Sequence, residues 1–158
     1  MISASLDMLE ESLIKKIEVM KKIEEENTRQ KEILSSDDID LSVFDKTIEV
    51  KGQYIEELDR LDDGFQSLFD RVKKDVDANR EAYADQIRRM QELIHEIMDR
   101  SASIEAAEHR NKKLADSYFS LEREKMSTGK RSAAAAFNYY STMNKFKDIP
   151  PQFLDTKN

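Results

Sequence analysis

The amino-acid sequence has few of the residues that cross-link chains or end helices. Its 158 residues include no cysteine, no tryptophan, three glycines and two prolines. Without cysteine, the chain has no disulfide framework and no thiolate chemistry. Glycine and proline are the main breakers of regular structure, and the scarcity of valine and of turn residues argues against a β-sandwich or barrel. The sequence therefore predicts an all-α protein.

The sequence also lacks long apolar runs. None approaches the roughly 18 residues that span a membrane. The N-terminal stretch MISASLDMLEES has neither the basic nor the apolar region of a signal peptide. We therefore expect a cytoplasmic protein without membrane insertion.

Charge is plentiful and unevenly distributed. Residues 1–124 carry 20 basic and 31 acidic side chains, whereas residues 125–158 carry 6 and 2, within a total charge of −7. An acidic body repels phosphates and anionic lipid. Nucleic acid is therefore not an expected partner.

Apolar residues recur at spacings of three and four, which is the period of an amphipathic helix. They predict three long helices over residues 3–34, 43–76 and 80–126, and the second begins near Ser42. Short connections make neighbouring helices antiparallel. The expected fold is an elongated antiparallel helical bundle or coiled coil of three long helices plus a short C-terminal helix.

Several polar residues interrupt the apolar stripes at core-like positions: Asn27, Gln30, Lys51, Asp62, Ser101, Glu108 and Asn111. For the two in the first helix we expect a less buried helix end. The alternative is a polar contact that sets the register of the helices. Residues 100–103 leave open a kink or break in the third helix.

Two glycines lie inside the second predicted helix, at Gly52 and Gly64. Each costs about 1 kcal/mol relative to alanine. Such glycines mark either the close approach of another helix or a tolerated weak point, and the sequence does not decide between these two readings.

The segment RSAAAAFNYYSTMNKF, residues 131–146, is apolar and has no acidic residue. It predicts a fourth helix between a C-terminal cap at Gly129 and the prolines at 150–151. The third helix exceeds the first two by about 12–15 residues, so we expect residues 112–126 to protrude and to form a hairpin with the fourth helix. The predicted division is a three-helix body, 1–126, and a partner-binding helix and tail, 127–158.

The fourth helix carries two apolar faces. One holds Ala133, Ala136, Phe137, Tyr140 and Met143, and the other holds Ala135, Tyr139, Thr142 and Phe146. A hairpin covers only one face, and exposed apolar patches with aromatic residues mark interaction sites. The predicted partner-binding residues are Leu114, Tyr118, Leu121, Ala133, Ala136, Phe137, Tyr139, Tyr140, Met143 and Phe146.

The sequence proposes no catalytic residues and no metal or cofactor site. Glu92 and His95 have the helical Glu-x-x-His spacing, but di-iron bundles need two such motifs, and His109 has no glutamate at the matching position. Asp99 stands where a zincin would have its second histidine. We therefore expect no enzymatic activity and no cofactor.

Four stretches together resemble the FlgN family of flagellar type III export chaperones. They are LDMLEESLIKKIEVMKKI in the first helix, FDKTIEVKGQYIEELDRLDDGFQSLFDRV in the second, IEAAEHRNKKL in the third, and the terminal FLDTKN that follows the Ala/Tyr-rich helix. Their order and spacing carry the resemblance, because no single stretch is a specific motif. The prolines at 150–151 depart from the family pattern.

The resemblance implies a cytoplasmic chaperone that holds hook–filament junction proteins before secretion. It implies that the C-terminal helical part binds an amphipathic C-terminal segment of the client, by helix-in-groove recognition, with the export apparatus as a further partner. The alternative function is a structural coiled-coil protein that homodimerises through its C-terminal apolar helix.

Overall fold

A computed structural model describes residues 2–122, 136, 137 and 139, and the first of these ranges forms three long helices. They are α1 (Ile2–Leu34), α2 (Leu41–Ala78) and α3 (Ala84–Glu122), with no strand among the described residues. The prediction of an all-α fold with three long helices is confirmed. The predicted fourth helix lies, apart from three residues, outside the described part of the chain. No helix within that part is both long enough and apolar enough to cross a membrane.

α1 packs along both other helices, and cross-helix contacts show that α2 runs antiparallel to it. Lys16 of α1 donates to Asp62 of α2 at 2.6 Å, and Lys51 of α2 donates to Asn27 of α1 at 2.6 Å. Burial lowers the pKa of Lys16 and raises the pKa of Asp62, and the attraction between the two groups opposes both shifts.

α3 runs parallel to α1, as polar contacts at two levels show. Arg89 donates to Glu10 at 2.9 Å, and Arg100 donates to Glu24 at 2.6 Å. The hydrogen bond from Arg89 lowers the pKa of the Glu10 carboxyl. α3 is continuous through residues 100–103, so the break that the sequence left open is absent.

The predicted apolar stripes form most of the core. In α1 every residue of the stripe is buried: Leu6, Leu9, Leu13, Ile17, Met20 and Ile23. The same holds for most of the stripes of α2 and α3. At the end of α3, Leu121 lies outside the core and is 77% exposed, whereas Ala115 is buried.

The N-terminus of α2 is capped by Asp40. Its Oδ1 accepts hydrogen bonds from the backbone N–H groups of Ser42 at 3.0 Å and Val43 at 3.4 Å, which satisfies donors that have no partner within the helix. Hydrogen bonds from Ser42 and Val43 lower the pKa of the Asp40 carboxyl. The helix thus begins earlier than the predicted start near Ser42.

The predicted protrusion of residues 112–126 differs from the structure over 112–119, and residues 123–126 lie outside the described part of the chain. Ala115 is buried, and the ring of Phe119 lies 5.9 Å from the ring of Phe44 of α2, edge to face. α3 is therefore covered as far as Phe119. The expectation took the third helix to begin near residue 80, whereas α3 begins at Ala84 and the start of α2 at Phe44 lies beside Phe119.

Neither glycine of α2 marks a close approach of another helix. A Cβ atom added to Gly52 or Gly64 would meet no heavy atom within 4 Å outside the helix's own neighbouring backbone. The two positions are therefore weak points in the helix, where alanine would fit without strain.

We expect Gly64→Ala, and separately Gly52→Ala, to raise the free energy of unfolding by about 0.5–1 kcal/mol, because alanine loses less conformational entropy on helix formation. Urea unfolding followed by circular dichroism measures this change. The matched reverse change is Ala106→Gly at an exposed position of α3, which should lower stability by a similar amount. A loss of stability in Gly64→Ala would contradict the assignment of Gly64 as a weak point at which alanine fits without strain.

Candidate functional site: a buried polar cluster

The three helices enclose a group of polar side chains near the end of α1 and the beginning of α2. We call it the buried polar cluster. All of its members are buried: Asn27, Gln30, Thr47, Lys51, Glu108, Asn111 and Tyr139. Because buried polar groups are costly unless they are hydrogen-bonded, their partners determine how the helices meet here.

Lys51 is the centre of the buried polar cluster. Its Nζ donates to Asn27 Oδ1 at 2.6 Å and Gln30 Oε1 at 2.9 Å on α1. It also contacts both carboxylate oxygens of Glu108 on α3, at 2.9 and 3.1 Å. One ammonium on α2 is therefore bound by acceptors from both neighbouring helices.

Amide groups extend the network around Lys51. Asn111 Nδ2 donates to the backbone oxygen of Asn27 at 3.0 Å and to Gln30 Oε1 at 3.1 Å. Gln30 Nε2 donates to Thr47 Oγ1 at 3.0 Å, and Thr47 in turn donates to the backbone oxygen of Phe44 at 2.6 Å. Each of the three helices contributes donors or acceptors to the network.

Tyr139 joins the buried polar cluster from the C-terminal segment. Its hydroxyl donates to Glu108 Oε2 at 2.5 Å, and the Lys51 Nζ lies 4.3 Å from the centre of its ring. The contact thus combines a charge-assisted hydrogen bond with a cation–π interaction. It connects residue 139 to α2 and α3 at once.

Lys51 and Glu108 compensate each other's charge. Burial lowers the pKa of Lys51, and the Glu108 carboxylate opposes this shift. Both side chains are enclosed and committed to internal partners, so neither is placed to reach a substrate. Within the described ranges, no three His, Cys, Asp or Glu side chains are grouped so that they could hold a metal ion.

The predicted partner-binding residues are found in different environments. Leu114 and Tyr118 are half-buried, Leu121 is exposed, Ala136 and Tyr139 are buried, and Phe137 is 66% exposed. The other four lie outside the described residues: Ala133, Tyr140, Met143 and Phe146.

The division of the fourth helix into two apolar faces needs correction. The sequence predicts Ala136 on the same face as Phe137 and Tyr139 on the other face. In the structure Ala136 and Tyr139 are buried, whereas Phe137 is exposed. Residues three apart lie on the same side of a helix, whereas adjacent residues are separated by about 100°, which accounts for this arrangement. The described polar contact of Tyr139 is with Glu108, outside the predicted docking range 112–126.

The buried polar cluster was not predicted as a unit. Lys51, Glu108 and Asn111 were each recognised at core-like positions, and Thr47 was not. For Asn27 and Gln30 the preferred expectation, a less buried helix end, is wrong, since both are buried. The available signal was the presence of polar core positions with opposite charges, Lys51 and Glu108, on different helices.

We expect Lys51→Met and Glu108→Leu each to lower the free energy of unfolding by about 3–5 kcal/mol, because each leaves a buried charge without its partner. The double variant removes both charges. The double variant should therefore lose less free energy of unfolding than the two single variants together, by about 2–3 kcal/mol. Urea unfolding of the four proteins measures this coupling.

The control is the exposed pair of Lys112 and Asp116, whose atoms are 2.9 Å apart on α3. Lys112→Met should cost no more than about 0.5 kcal/mol, because exposed pairs contribute little. Additive losses for Lys51→Met and Glu108→Leu would contradict the coupling between the two buried groups.

No protein-family model, no curated protein and no solved structure matches this chain.

Proposed function

We propose that this chain is a cytoplasmic export chaperone of the bacterial flagellum. It binds the amphipathic C-terminal segments of hook–filament junction proteins before type III secretion. The resemblance to the FlgN family supports the proposal, and the three long helices found in the structure are compatible with it. The function requires no covalent chemistry and no nucleotide.

The observation that carries the proposal is the exposure of Phe137. Its neighbours Ala136 and Tyr139 are buried, so this part of the chain is in contact with the body, yet the Phe137 side chain is 66% exposed. Large aromatic side chains are the usual anchors of binding surfaces. Leu121, at the end of α3, is a second large apolar side chain that is mostly exposed.

A disordered client segment with one apolar stripe suits such a surface. In helix-in-groove recognition the segment folds as it binds, and its apolar residues cover the exposed side chains. The ordering of the segment reduces the net affinity. The resulting complex can be held and later released, which a chaperone of secreted proteins needs.

We expect Phe137→Ala to weaken the binding of a peptide from the C-terminal segment of a hook–filament junction protein by roughly tenfold or more. The variant loses an aromatic anchor that the bound peptide would bury. Titration calorimetry with the full chain measures the affinity. The matched control is Met98→Ala, which truncates another exposed apolar side chain, 51% exposed on α3, and should leave the affinity unchanged.

Equal affinity in Phe137→Ala and the unchanged chain would reject the assignment of this surface. The alternative function, a structural coiled-coil protein that homodimerises, is tested by measuring the molecular mass by light scattering over a range of concentrations. A dimer that is lost in Phe137→Ala, together with no peptide binding, would favour the structural coiled-coil protein over the chaperone.

A further inference from the structure

Tyr139 holds the C-terminal segment at one defined place on the body. Its side chain is only 4% exposed, and its hydroxyl donates to Glu108 while its ring covers the Lys51 ammonium. Ala136, three residues earlier, is buried as well. Burial of an apolar surface has no preferred direction, whereas a hydrogen bond is directional. The hydroxyl is therefore the group that selects one rotation of this segment.

The Lys51 ammonium has its acceptors in the body without Tyr139. Lys51 is bound by Asn27 and Gln30 of α1 and by Glu108 of α3, all within the three-helix body. Departure of the Tyr139 hydroxyl would leave no buried charge without a partner. Lys51 and Glu108 therefore remain paired within the body whether or not the Tyr139 hydroxyl is bound.

We propose that the Tyr139 hydroxyl is a positioning group, which turns the segment so that Phe137 faces outward. This inference rests on the proposed function, in which Phe137 contacts the apolar stripe of an amphipathic helical client. Ala136 and Tyr139 face the body, and Phe137, about 100° around the helix from Ala136 and about 160° from Tyr139, faces solvent. Tyr139 thus acts on the client through Phe137 and does not touch it.

The chain contains no cysteine, so pairs of spin labels can be placed at chosen positions. We would label Phe137→Cys and Lys113→Cys, the latter at an exposed position of α3, and measure their distance distribution by pulsed electron resonance. We expect one narrow distance. Adding Tyr139→Phe should reduce the ratio of docked to undocked segment roughly tenfold or more, because a charge-assisted hydrogen bond is lost, and the distribution should broaden.

The matched control is Tyr54→Phe. Tyr54 of α2 is half-buried and also has a lysine near its ring, with Lys22 Nζ 5.9 Å from the ring centre. Removal of that hydroxyl is the same chemical change at a site away from the C-terminal segment. It should leave the distance distribution unchanged. The urea midpoint of the body should be similar in both variants.

A broad distribution in the labelled chain with Tyr139, or an identical distribution after Tyr139→Phe, would overturn the proposal. Peptide titration of the unlabelled chain is the second measurement. Tyr139→Phe should weaken binding of the client peptide by the factor by which the docked fraction falls, which is roughly twofold when the ratio drops from about ten to about one, while helicity stays the same. Equal peptide affinity in the two proteins would refute the role of Tyr139 in binding. If the distribution broadens but no client peptide binds the unchanged chain, the positioning stands and the chaperone function fails.

Discussion

The ammonium group of Lys51 must keep its acceptors, and the arrangement of the three helices depends on this requirement. Its partners come from α1 and from α3, so a shift of either helix along α2 would remove some of them. A stripe of apolar side chains tolerates such a shift more easily, because apolar contacts are not directional. A buried ion pair contributes little net stability. Its role here is to set the register of the helices.

The three helices and most of their core could be predicted from the sequence, because the apolar stripe of α1 lies within one helix and shows its period directly. The buried polar cluster could not be predicted in this way. Asn27 finds its partner Lys51 on the next helix, and Lys51 finds Glu108 still further along the chain. Along a single helix, a polar residue in the apolar stripe indicates a solvent-exposed position. Only the packing of three helices makes it part of the interior.

The candidate site was predicted in part for a related reason. By apolarity alone Ala136 groups with Phe137, and the hydroxyl of Tyr139 gives no signal. Alanine is small enough to be buried on either side, so it does not report which side faces the body. The hydrogen bond from Tyr139 to Glu108 supplies that information, and its acceptor lies on another helix.

The position of the buried polar cluster makes the two ends of the bundle unequal in how readily they admit water. From Leu6 to Ile23, the interior of α1 is apolar except for Lys16, which is paired with Asp62, whereas at Asn27 and Gln30 it depends on a network of hydrogen bonds. Water can replace a hydrogen-bond partner but not an apolar contact, so brief local opening costs less at the polar end. The C-terminal segment is attached through Tyr139 at that same end. Fluctuations that loosen the helices there would therefore also loosen the attachment, while the apolar end stays closed.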